Sequence, residues 1–96
     1  MLTVDSPEFR ELIDRSTQLR NVGRYNDAVG LVKDRLHEMA PDCLKQACHH
    51  VIRTAHEGGL NELARQYTEE LAKIEPDDPV VKEFRHLYGK ASAAGA

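Results

Sequence analysis

Residues 23–41 read GRYNDAVGLVKDRLHEMAP, and residues 58–76 read GGLNELARQYTEELAKIEP. Each stretch opens on a glycine turn, continues as an Ala/Leu-rich helical pattern and closes on a proline. Gly23 and Gly59 are 59 − 23 = 36 positions apart, and Ala28 and Ala64 are 64 − 28 = 36 apart. One offset shared by two landmarks points to a single supersecondary unit used twice.

The flanking residues extend the pattern. Upstream, Asp5-Ser6-Pro7-Glu8 is a helix start. Asp5 or Ser6 can accept the free backbone N–H groups, and Pro7 suits the first helical position. Phe9, Leu12, Ile13, Ser16, Leu19 and Val22 then recur at steps of three and four, one face of a first helix that Gly23 ends in a left-handed C-cap. Tyr25-Asn26-Asp27 opens a second helix with Asn26 as its cap. Its inner face is Ala28, Leu31, Val32, Arg35, Leu36 and Met39, and Pro41 is its stop. The short connection makes these two helices an antiparallel hairpin. Asp42 caps a third helix with Leu44, Ala47, Cys48, Val51, Ile52 and Ala55 inward, ended by Gly58-Gly59. Leu63, Ala64, Tyr67, Leu71 and Ile74 line a fourth helix that begins at Leu60 or Asn61 and stops at Pro76. Asp78 and Pro79 start a short fifth helix carrying Val80, Val81, Phe84, Leu87 and Tyr88. The expected fold class is therefore all-α: two antiparallel helix-turn-helix repeats and a C-terminal capping helix, five helices in one domain over residues 1–89, with residues 90–96 a flexible tail.

Composition narrows the function. The net charge of −3 is spread as −1 over residues 1–41 (6 basic, 7 acidic) and −2 over residues 42–96 (7 basic, 9 acidic). With no basic block in either half, a phosphate-backbone footprint is missing and nucleic acid is disfavoured. Nothing approaches the run of about 18 apolar residues that spans a bilayer. MLTVDSPEF does not read as a secretory signal. Cys43 and Cys48 would stand about 140° apart on one helix, too divergent for a disulfide. Both read as small hydrophobes in a reducing, cytoplasmic setting.

Gly23, Tyr25, Ala28, Leu36 and Pro41, then Gly59, Ala64, Ala72 and Pro76, resemble the tetratricopeptide repeat. That family's helix-turn-helix unit runs to about 34 residues, with small residues at helix contacts and a proline after the second helix. The resemblance implies a right-handed stack in which the first helix of each unit lines a concave surface. Carried onto this chain, that surface presents Arg10, Thr17, Arg20 and Asn21 from helix one and Gln46, His49, Arg53 and His56 from helix three, with Arg20 and Arg53 in equivalent roles. The function it implies is a non-catalytic adaptor or chaperone-like module binding a polypeptide partner, one carrying acidic groups, with no cofactor. If His49 and His56 help hold such a partner, binding strengthens as pH falls below about 6.5. Two units are few for a stack, so a second copy could cover an open end as a homodimer.

Two other classes fit the sequence less well. His49 and His56 are seven residues apart, about 10.5 Å along a helix, too far for one metal ion. A metal-dependent enzyme would need His37, His86 or Cys48 brought in by folding. Leu60-Asn61-Glu62-Leu63-Ala64-Arg65-Gln66-Tyr67 echoes the first helix of a DNA-reading motif, but Thr68-Glu69-Glu70-Leu71 continue the helix without a turn and add carboxylates.

Overall fold

A computed structural model describes residues 1–89, and the tail expected at 90–96 lies outside the described residues. Five α-helices follow one another: α1 (Pro7–Asn21), α2 (Tyr25–Lys33), α3 (Pro41–Glu57), α4 (Asn61–Ile74) and α5 (Pro79–Phe84). A 3₁₀ turn, Leu36–Glu38, precedes α3, and a π-type turn, Arg85–Gly89, follows α5. Among the described residues there is no strand; an isolated bridge pairs Leu2 with Met39.

The two glycine turns are the same structure. Gly23 and Gly59 hold φ of 81° and 74°, the left-handed region that a side chain disfavours. The Gly23 N–H bonds the Arg20 carbonyl at 3.0 Å and the Arg24 N–H the Leu19 carbonyl at 2.9 Å. At the second turn the Gly59 N–H bonds the His56 carbonyl at 3.1 Å and the Leu60 N–H the Ala55 carbonyl at 2.8 Å. Both are Schellman caps, and every pair of matching atoms is 36 residues apart. Each cap reverses the chain, so α1 pairs with α2 and α3 with α4. At this register Arg20 corresponds to His56 and Thr17 to Arg53, so the expected equivalence of Arg20 and Arg53 does not hold.

Gly58 serves a different purpose. A Cβ there would lie 2.4 Å from Cγ of Tyr25, so the Tyr25 ring packs directly on the end of α3. The first turn of α2 is thereby locked against the second hairpin.

The second helix departs from expectation. It ends at Lys33 instead of running on to Met39. Gly30 sits at its middle and weakens a nine-residue helix. Arg35, expected on its inner face, lies in the turn beyond and grips Glu38 with two hydrogen bonds of 2.6 and 3.0 Å. Met39 is extended and buried beside Leu2, whose N–H donates to the Glu38 carbonyl and whose carbonyl accepts from Ala40, both at 2.7 Å. Pro41 begins α3 at its first turn, and the residue before a proline is pushed out of the helical region. Ala40 is thus the α3 cap. Asp42, expected there, accepts only the Cys43 N–H, at 2.8 Å. Asn26 is not a cap either: α2 starts from Arg24. Ser6 stands at the start of α1, but its hydroxyl accepts the Thr3 N–H at 3.0 Å.

The core runs between the hairpins through Val29, Val32, Val51, Ile52, Leu71 and Val81, all essentially inaccessible. The shortest dimension of the molecule is 18 Å, about two helices thick, which suits a core of Val, Ala and Cys. Val22, expected on the inner face of α1, is 72% exposed because the C-cap carries it past the last packed turn.

Gly58→Ala is expected to lower stability by about 2 kcal/mol through overpacking. Gly59→Ala, which enters open space and meets only backbone strain, is expected to cost about 1 kcal/mol. Urea unfolding measures both. In a Tyr25→Gly background, which removes both the ring and the Cβ that would lie 2.5 Å away, most of the Gly58→Ala penalty should vanish; an undiminished penalty would contradict the clash.

Candidate functional site

A groove of about 590 Å³ runs between α1 and α3. Phe9 and Ile13 of α1, with Val4 of the N-terminal segment, form its apolar part; Arg20 closes the α1 side, and Gln46, His49, His50 and Arg53 line the α3 side. Helices α1 and α3 run in the same direction because two reversals separate them. From Phe9 to Arg20 is about 16 Å along α1, so the groove is apolar towards one end and cationic towards the other.

Four of the eight residues expected at a binding surface meet here: Arg20, Gln46, His49 and Arg53. The other four do not line the groove. Arg10 and Asn21 are exposed on α1. Thr17 turns its hydroxyl onto the Ile13 carbonyl at 2.8 Å. His56 lies at the far end of α3, edge-on to Phe84 with ring centroids 5.2 Å apart, and its Nδ1 meets the Tyr88 hydroxyl. Val4 and His50 were not foreseen at this surface, and Phe9 and Ile13 were expected only as core. A serine inside the apolar stripe of α1 was the available signal for His50, since a buried hydroxyl calls for a polar partner on a neighbouring helix.

That partner is found. Ser16 is fully buried, and its hydroxyl donates to the Ala28 carbonyl at 2.7 Å while meeting His50 Nε2 at 2.7 Å. One side chain of α1 thus joins α2 and α3. Burial, and then the nearby Arg20 charge, pull the His50 pKa below its ordinary value. This imidazole is therefore neutral at neutral pH.

The adjacent histidine makes a second tether. His49 Nε2 donates to Asp78 Oδ2 at 2.9 Å, and Asp78 Oδ1 accepts the Val80 N–H at 2.8 Å, capping α5 as the Asp78-Pro79 start signal predicts. Lys45 Nζ stands 3.8 Å from the same carboxylate and 2.6 Å from Glu75. Asp78 is only 2% exposed. Burial pushes its pKa up, but the His49 hydrogen bond, the Val80 amide and the His49 and Lys45 charges together bring it below its ordinary value.

The groove cations also have acidic neighbours. Arg20 Nε donates to Glu57 at 2.6 Å, and Arg53 lies 3.7 Å from Glu83; both acids are about half exposed. A smaller hollow of about 390 Å³, between Leu36, Leu44, Tyr67 and Ile74, carries no arginine.

Among the described residues no three His, Cys, Asp or Glu side chains converge as a metal ion would need. Cys43 and Cys48 are free and buried. Burial, with a smaller push from Glu70, raises the Cys48 thiol to about 11, so it stays protonated at neutral pH. No helix of the described residues is long and apolar enough to cross a membrane. No protein-family model matches the chain, and neither a curated protein nor a solved structure does.

Asp78 makes a pH prediction whose sign is set by its depressed pKa. A carboxylate that ionises more readily when folded stabilises the native state fully above its ordinary value of 3.8. That contribution fades as pH falls through the lower, folded value. Asp78→Asn is expected to cost about 2 kcal/mol at pH 7, the scale of a charged hydrogen bond. The difference between the wild-type and variant melting curves should shrink below pH 3.8 and disappear at the acid end; a constant difference would contradict the tether.

Proposed function

We propose that this chain is a non-catalytic polypeptide-binding module, an adaptor or chaperone-like protein of tetratricopeptide-like build, and that an acidic segment of another protein occupies the groove between α1 and α3. The carrying observation is the composition of that groove: two arginines and a glutamine beside an apolar part formed by Val4, Phe9 and Ile13. An apolar side chain of the partner buries against Val4 and Ile13, and carboxylates reach Arg20 and Arg53. A guanidinium can hold a carboxylate through two parallel hydrogen bonds, which makes arginine suited to this role.

The existing pairs do not block such a partner. Exposed ion pairs contribute between about 0 and 1 kcal/mol, so Glu57 and Glu83 exchange readily for a ligand carboxylate. The repeated hairpin, with its identical caps at a constant offset, supports the tetratricopeptide-like reading. Two free buried thiols suit a reducing compartment, and the cytoplasm is the setting we infer.

Affinity capture from native cell extract, read by mass spectrometry, tests the proposal. Arg20→Glu/Arg53→Glu is expected to reduce recovery of specific partners at least about tenfold, the loss of roughly one charged hydrogen bond. Arg65→Glu/Lys73→Glu, on α4 and away from the groove lining, should leave recovery unchanged. Partners retained equally by both double variants would place binding elsewhere.

A further inference from the structure

We propose that the groove reads a hydrogen-bond donor on its ligand through His50 Nδ1, so that the segment it takes carries an N–H or O–H group between its apolar anchor and its carboxylate. This deepens the proposed function and rests on the groove being a ligand site.

The argument is a count of protons. The Ser16 hydroxyl owns one, and the Ala28 carbonyl 2.7 Å away has none to give, so Ser16 donates to Ala28. The oxygen of Ser16 must then accept from its other neighbour, His50 Nε2, also at 2.7 Å. His50 therefore carries its proton on Nε2. In a neutral ring the lone pair is left on Nδ1. The ring is held neutral by its burial and by Arg20. Among the described residues Nδ1 accepts no hydrogen bond, and His50 is part of the groove lining.

This acceptor stands in a wall that otherwise offers mainly donors. Arg20 and Arg53 can only donate, and they suit the carboxylates of a partner. A ligand built from carboxylates and hydrocarbon alone would leave the Nδ1 lone pair desolvated and unmet, which is unfavourable. A donor at that point removes the penalty. Backbone amides, hydroxyls and an indole N–H all qualify. Ser16 acts at one remove: it touches no ligand but fixes which ring nitrogen carries the proton, and Nδ1, unbonded and not among the fully buried atoms of the described residues, keeps its lone pair accessible.

Two small probes separate the possibilities. Hippurate carries an apolar ring, an amide N–H and a carboxylate in that order; its ester isostere benzoyloxyacetate replaces the N–H with an oxygen and adds no bulk. Titration of the intact, isotope-labelled protein, followed by NMR, should show both perturbing Val4, Ile13 and His50. Hippurate should bind about fivefold more tightly, the scale of one neutral hydrogen bond. Long-range proton–nitrogen correlations should find His50 protonated on Nε2, and Ser16→Ala should mix the two tautomers. His50→Phe should bind both probes equally. Equal binding of the two probes by wild type, or a proton on Nδ1, overturns the donor preference and leaves the groove reading intact. If neither probe moves the groove signals, both readings fall.

Discussion

The left-handed backbone at Gly23 and Gly59 is the constraint from which the architecture follows. A residue with a Cβ would hold that conformation at a cost of roughly 1–2 kcal/mol, and at each turn the carbonyls of the preceding helix depend on it for their closing hydrogen bonds. Because the two caps are the same, the second hairpin repeats the first at a fixed register. Helices α1 and α3 come out parallel, and the groove between them joins residues of both. Gly58 adds a second condition, since the Tyr25 ring occupies the space a side chain would need there. The turns therefore reverse the chain and also bring the two hairpins together.

Small residues then limit what hydrophobic burial can do. With Ala28, Ala47, Ala55 and Ala64 at helix contacts, the helices approach closely but each bury little area. Two polar tethers add specificity. His49 and His50 are neighbours in sequence, so their side chains leave α3 about 100° apart. One reaches forward to Asp78 and holds the start of α5; the other reaches back to Ser16 and holds the first hairpin. Helix α3 is the hub, and both of its clasps border the groove. Buried networks of this kind are valuable only when every member is satisfied, and here the Ser16 and Asp78 oxygens are. Thr54, buried on the same helix without a partner among the described residues, is the exception.

Local rules made much of this legible. Helix starts at Pro7 and Pro79, the Asp78 cap, the glycine turns and the 36-residue register are all short-range signals, and they place the five helices. The Asn26 and Asp42 caps are local signals that do not hold, since the chain starts α2 from Arg24 and α3 from Ala40; the larger differences are non-local. Gly30 weakens α2 locally, but the extended path of Met39 pairs with Leu2 from far upstream, which periodicity in residues 28–39 cannot reveal. Half of the expected surface, Arg20, Gln46, His49 and Arg53, lines the groove. Arg10, Thr17, Asn21 and His56 do not, because the tilt of one helix on another decides which polar residues converge. His50 could be read as a groove residue only indirectly, through the buried serine 34 positions earlier on another helix that sets its role.

The electrostatics of the groove decide which of its groups a partner can recruit. Arg20 and Arg53 are paired to half-exposed acids, and water already screens those pairs, so exchange for an incoming carboxylate is nearly neutral in energy. His49 is different. Its partner Asp78 is buried, and withdrawing the imidazole would leave a desolvated charge with only Lys45 and a backbone amide to compensate it. Breaking such a pair by removing one member costs several kcal/mol. A ligand acid will therefore take the arginines and leave His49 where it is. His56 is likewise engaged, with Tyr88, outside the groove. The two imidazoles that the sequence places at a binding surface are thus already committed, to holding α5 and the turn beyond it in place.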